Sequence, residues 1–61
     1  METLTKDAAD LFRIAVHVAG FDAGEVMAEI HRLQKGRTAK ASVPTVERAL
    51  QHLAERAKSH L

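Results

Sequence analysis

The chain has 61 residues, no cysteine and a net charge of +1 at neutral pH. A chain this short makes one domain at most, and the lack of cysteine excludes disulfides and thiolate metal sites. No apolar run is long enough to span a bilayer, and Asp7, Asp10 and Arg13 interrupt any signal-peptide core. We therefore expect one soluble, cytoplasmic domain over residues 1–61.

Two phenylalanines are the only aromatic residues, so the core must be aliphatic and rich in alanine. Valines rarely alternate with polar residues, which argues against a sheet. The sequence therefore predicts an all-α, compact three-helix domain, with helices at about residues 5–19, 22–35 and 42–58.

Charge is unevenly distributed along the chain. Residues 1–30 carry two basic against six acidic residues, a net charge of −4, whereas residues 31–61 carry seven against two, a net charge of +5. This polarity favours a surface for an anionic partner, although ordinary surface scatter gives the same totals.

The first predicted helix has Thr3 or Thr5 as its N-cap. Its apolar residues cover more than half of its circumference, which is wider than packing on one neighbour requires. Helix 1 is therefore either central to the domain or shared with a second chain. Leu11, Ile14 and Val18 follow i, i+3 and i+7 and can form a seam between two chains. We predict a homodimer, with coverage of this face by helices 2 and 3 as the alternative.

The second predicted helix follows a tight corner at Gly20. Asp22 is its predicted N-cap, and Glu25 three residues later completes a capping-box pattern. Its predicted buried stripe is Val26, Ile30 and Leu33. Gly36 ends this helix.

Residues 36–42 are predicted to form a loop that leads into helix 3. Ser42 is the predicted N-cap, since Pro44 fits only the first turn of a helix. Val46, Leu50 and Leu53 recur at i, i+4 and i+7, so they share one face, and Leu50 is expected at the centre of the core. The opposite face carries Thr45, Arg48, Gln51, His52 and Glu55.

The polar face of helix 3 can read DNA. Thr45, Arg48 and Gln51 can hydrogen-bond base edges. Four residues of the loop before helix 3 are predicted to contact the DNA backbone: Arg37, Thr38, Lys40 and Ser42. The alternative is a solvated basic face, on which Arg56 and Lys58 only complement the C-terminal helix dipole.

This pattern resembles a known family of regulators. After an acidic helix start at residues 22–30 and Gly36, the chain has Ser42, Thr45, Val46, Arg48, Leu50 and Leu53. These positions resemble the Ser-x-x-Thr-Val-x-Arg-x-Leu-x-x-Leu recognition helix of the ferric-uptake-regulator family, a winged-helix group. Glu47 replaces the family's tyrosine, and the loop before Ser42 is longer. The resemblance implies a wingless helix-turn-helix protein that binds DNA, regulates transcription and has no iron function.

A second likeness competes with the first. Ala19-Gly20-Phe21 resembles the Met-Gly-Phe loop of ubiquitin-associated domains, and residues 46–53 resemble the start of their third helix. This likeness implies a three-helix module that binds protein. The alternative to DNA binding is therefore a helical adaptor that binds another protein, or itself, through the apolar helix 1.

No catalytic or metal-binding pattern is present. The four histidines have no i, i+3 or i+4 spacing, and no cysteine or carboxylate completes a ligand set. We therefore expect no enzymatic activity, no metal and no cofactor.

Overall fold

The protein is a three-helix domain, as the sequence predicts. The computed structural model describes residues 4–37 and 39–59, with α1 at Lys6–His17, α2 at Ala23–Leu33 and α3 at Val43–Ser59. α1 and α2 each end two residues earlier than expected, and α3 ends one residue later. None of these helices combines the length and apolar character needed to cross a membrane.

Side-chain caps begin the first two helices. The Thr5 hydroxyl accepts the Ala8 amide hydrogen at 3.2 Å, and the Asp22 carboxylate accepts that of Glu25 at 3.0 Å. Each bond satisfies an amide that has no partner inside its helix. Both predicted caps are therefore confirmed, while the other candidate for α1, Thr3, lies outside the described residues.

α1 ends where two successive amides share one carbonyl group and the regular helical hydrogen-bond pattern stops. The amides of Val18 and Ala19 both donate to the Ile14 carbonyl, at 2.8 and 3.2 Å. Gly20 then has a φ of 84°, in the left-handed region that glycine adopts without steric cost. The Phe21 amide donates to the Ala15 carbonyl at 3.0 Å, which turns the chain towards α2.

The segment before α3 is paired with the segment before α1. Leu4 and Ala41 form an isolated parallel β-bridge, and the Thr5 amide donates to the Ala41 carbonyl at 3.0 Å. Ala41 is fully buried. The prediction that residues 36–42 form only a loop missed this pairing, because nothing in the local sequence marks Ala41 as a buried residue.

The core lies where α1, α2, α3 and the bridge meet. Its buried cluster comprises Ala8, Val26, Ile30, Ala41, Val46, Ala49 and Leu53. The prediction that Leu50 occupies its centre is wrong, because Leu50 is only half-buried and packs on the margin of the cluster. α3 is rotated so that the small Ala49 faces inward, which allows the helices to approach closely.

We expect Ile30→Ala to lower the free energy of unfolding by about 2–5 kcal/mol, because it removes a fully buried side chain and leaves a cavity. Leu50→Ala should cost clearly less, because water already reaches part of that side chain. Urea unfolding followed by circular dichroism measures both. Equal losses for the two variants would contradict the position of α3 described above.

Candidate nucleic-acid interface

An open groove lies between the C-terminal end of α2 and the first turns of α3. It encloses about 150 Å³. We call it the α2–α3 groove, and it is lined by Leu33, Arg37, Pro44, Thr45 and Arg48. Three residues predicted to contact DNA, from two separate segments of the chain, therefore border one groove.

Arg37 is positioned by an ordered turn. Its amide donates to the Gln34 carbonyl at 2.8 Å, and the Gln34 side-chain amide donates to the Ala39 carbonyl at 2.8 Å. Ala41 then pairs with Leu4. The segment after α2 is thus tied down on both sides of Arg37, which places this arginine beside α3.

Arg48 and Thr45 are neighbours on α3, because residues three apart in a helix lie on the same side. Thr45 is half-buried and Arg48 is exposed. Neither the Arg37 nor the Arg48 guanidinium has a hydrogen bond or ion pair with any described residue. No described residue therefore occupies the donors of either group.

The other predicted contact residues lie outside the groove. Gln51 is exposed on α3, three residues beyond Arg48, and Lys40 and Ser42 are exposed in the segment before the helix. Ser42 occupies the N-cap position, where its carbonyl accepts the Val46 amide at 3.1 Å. Thr38 lies outside the described residues.

A buried carboxylate that sequence reasoning missed ties α2 to α3. The side chain of Glu29 is only 5% exposed. His52 Nδ1 lies 3.0 Å from Oε2, Arg56 Nη2 donates to Oε1, and Arg32 Nη1 lies 3.4 Å from Oε1. His52, predicted on the polar face of α3, therefore contacts a buried carboxylate, and Arg56 does more than complement the helix dipole.

These partners keep Glu29 ionised. The hydrogen bond with His52 lowers the pKa of the Glu29 carboxyl group most, and Arg56 and the positive charge of Arg32 add to it against the opposing effect of burial. An ionised carboxylate only accepts hydrogen bonds, so His52 Nδ1 must carry the hydrogen. The four side chains form what we call the Glu29 network.

Helical spacing contains the signal for this network. Glu29 follows Val26 by three residues and precedes Ile30, so it lies on the margin of the apolar stripe of α2. His52 and Arg56 are four residues apart and flank Leu53 on α3 in the same way. An acidic residue beside the apolar stripe of one helix and basic residues beside that of another indicate that the two groups can come into contact when the helices pack.

The outer face of α1 is uncovered. Ile14 is 55% exposed and Val18 is 79% exposed, so α2 and α3 do not cover them. Leu11, the third residue of the predicted seam, is half-buried against the core, and Val18 lies just beyond the last residue of α1. We call this surface the α1 patch, a depression of about 480 Å³ lined by Asp10, Arg13, Ile14, His17 and Val18.

Within residues 4–37 and 39–59, no three histidine, aspartate or glutamate side chains come together as a metal site. Comparison with protein-family models, with curated proteins and with solved structures finds no match to this chain. The α2–α3 groove, the Glu29 network and the α1 patch are the features from which a function can be inferred.

The Glu29 network makes stability depend on pH. Because the folded-state pKa of Glu29 is lowered, the unfolded chain binds this proton more readily. The network's contribution is therefore present above the ordinary glutamate pKa of about 4.3 and is lost as the pH falls through the lowered value. We expect Glu29→Gln to reduce the acid destabilisation seen in urea unfolding between neutral and acid pH.

Glu55→Gln makes the same chemical change at an exposed position on α3 and is the matched control. It should retain the wild-type dependence of unfolding free energy on pH. An unchanged acid dependence in Glu29→Gln would show that Glu29 does not link folding to protonation.

Proposed function

We propose that this chain binds double-stranded DNA through α3 and the segment that precedes it, as a small regulator of the helix-turn-helix type. The observation that carries the proposal is the convergence of Arg37 and Arg48 on one groove, with no partner for either guanidinium among the described residues. Arginines beside the start of a helix are suited to DNA, because phosphate contacts supply a large share of the affinity and recognition helices enter the major groove.

Three polar residues of α3 supply chemistry that matches base edges. Gln51 carries an amide that can pair with adenine N6 and N7. Arg48 can donate to guanine O6 and N7 or to a backbone phosphate. Thr45 has a hydroxyl that serves as donor and acceptor. We assign contacts with the DNA backbone to Lys40 and Ser42, in the segment before α3.

Two acidic residues on α3 oppose DNA binding. Glu47 and Glu55 are exposed, and phosphates would repel both. Glu47 is one residue from Arg48, about 100° around the helix axis, so the two side chains leave α3 in different directions. Neither glutamate lines the α2–α3 groove. The repulsion therefore falls outside the groove that we propose as the main contact.

The α1 patch favours a second candidate function, self-association through a protein–protein contact. Ile14 and Val18 are the large hydrophobic residues most exposed in the described part of the chain. A second copy of the chain would cover them through the same patch, as in a twofold dimer. Dimerisation and DNA binding are compatible, because helix-turn-helix dimers bind two half-sites with one recognition helix each. An adaptor without DNA affinity is the alternative.

The test of DNA binding is a mobility-shift titration with random duplex DNA at two salt concentrations. We expect wild-type protein to bind at low salt and to weaken steeply as salt rises, because counterion release drives phosphate contacts. Arg48→Ala should weaken binding about tenfold, equivalent to ~1.4 kcal/mol. Lys58→Ala removes one exposed positive charge about 15 Å farther along α3 and should change binding much less.

No shift of duplex DNA by micromolar wild-type protein at low salt would exclude the DNA-binding proposal. Equal losses of DNA affinity in Arg48→Ala and Lys58→Ala would show that binding depends on net charge and not on the α2–α3 groove.

The test of self-association is sedimentation equilibrium. We expect a dimer in the wild type and a monomer in Ile14→Glu, because two like charges would then face each other across an apolar contact. Ile14 is more than half exposed, so this substitution should leave the helical circular dichroism unchanged. Ala28→Glu adds the same charge at an exposed position on α2 and should remain dimeric. A wild-type monomer at high micromolar concentration would rule out the dimer.

A further inference from the structure

We propose that the α2–α3 groove is a phosphate-binding site in which Arg37 and Arg48 hold one phosphate group between them. The inference rests on the proposed function in one respect, namely that the phosphate belongs to a DNA backbone. It also assigns Arg48 to the backbone and leaves base contacts to residues farther along α3, such as Gln51.

The two arginines approach the groove from different elements. Arg37 comes from the ordered turn after α2, and Arg48 comes from the second turn of α3. A guanidinium group is planar and donates parallel hydrogen bonds that match two phosphate oxygens. A phosphate between the two groups would therefore be bound from two sides, which neither arginine achieves alone.

The groove carries no competing negative charge. Its lining contains Leu33, Pro44 and Thr45 besides the arginines, and no carboxylate. This composition differs from that of the α1 patch, where Asp10 pairs with Arg13 at 2.6 Å. An arginine already paired with a carboxylate would have to give up that bond before binding an anion. Arg37 and Arg48 have no such bond to lose among the described residues.

The start of α3 adds donors to the same place. No described residue accepts the amide hydrogens of Val43 and Thr45, and Ser42 contributes its carbonyl rather than a side-chain cap. Thr45 lines the groove. Amides that no described residue accepts, together with the helix dipole, favour an anion beside this turn. The volume of about 150 Å³ is roughly ten times the 10–15 Å³ that one water needs, which leaves room for a phosphate with part of its hydration shell.

The site predicts direct binding of inorganic phosphate. In ¹H–¹⁵N spectra titrated with sodium phosphate at constant ionic strength, we expect saturable shifts of the Thr45 amide and the Arg48 Nε–H. Arg37→Ala should remove the saturable shift of the Thr45 amide, and so should Arg48→Ala. Lys58→Ala, the charge-matched control on α3, should retain both shifts. Wild-type shifts that never saturate, or that survive both arginine substitutions, would overturn the site.

Duplex DNA tests the source of the phosphate and the role of Arg48. If Arg48 holds a backbone phosphate, Arg48→Ala should lower the affinity for every duplex by a factor that does not depend on DNA sequence, and so should Arg37→Ala. Each substitution should also reduce the salt slope of binding by about one. If Arg48→Ala instead relaxes preference among sequences, Arg48 contacts a base and the site is wrong. Saturable phosphate binding without DNA binding would support the site while refuting the proposed function, and would point to a different phosphate-bearing ligand.

Discussion

The packing of α3 on α2 depends on one buried carboxylate. Desolvating an ion costs several kcal/mol, which Glu29 offsets through hydrogen bonds with His52, Arg56 and Arg32. These partners remain 42–71% exposed, whereas Glu29 is 5% exposed. If Glu29 is lost, water can therefore hydrate its three partners, whereas loss of the partners leaves a largely buried carboxylate without its hydrogen bonds. A packing that keeps this carboxylate buried but moves α3 away loses the His52 and Arg56 contacts and retains only Arg32, so the network disfavours such arrangements of the two helices.

Small residues in the core make this restriction on the packing of α2 and α3 important. Ala8, Ala41 and Ala49 are fully buried, and the largest fully buried side chains are Ile30, Val26 and Val46. Alanine permits close approach of helices, but it buries little apolar area and offers few shape constraints. Apolar contacts of this kind tolerate rotation of one helix against another more readily than interlocking large side chains do. The Glu29 network therefore supplies directional contacts that the alanine-rich interface lacks.

Local sequence patterns predicted the helices. The rotation of α3 and the pairing of distant segments depend on tertiary packing, which local patterns do not determine. The caps at Thr5 and Asp22 were predictable because each bond joins residues three apart. The rotation of α3 was not, because both Leu50 and Ala49 lie near the apolar stripe and only packing decides which faces inward. The Leu4–Ala41 bridge was hidden for a similar reason, since it joins segments far apart in sequence through a residue with no distinctive side chain.

The Glu29 network and the α2–α3 groove are consecutive parts of the same helix pair. Leu33 lies one helical turn after Glu29 on α2, and Arg48 lies one turn before His52 on α3. The contacts that fix Glu29 therefore also fix the two helix surfaces that border the groove. A preformed site loses less conformational entropy on binding than one assembled around its ligand. In the proposed phosphate site, Arg37 and Arg48 would therefore order mainly their own side chains, because the helix surfaces beside the groove are already held by the Glu29 network.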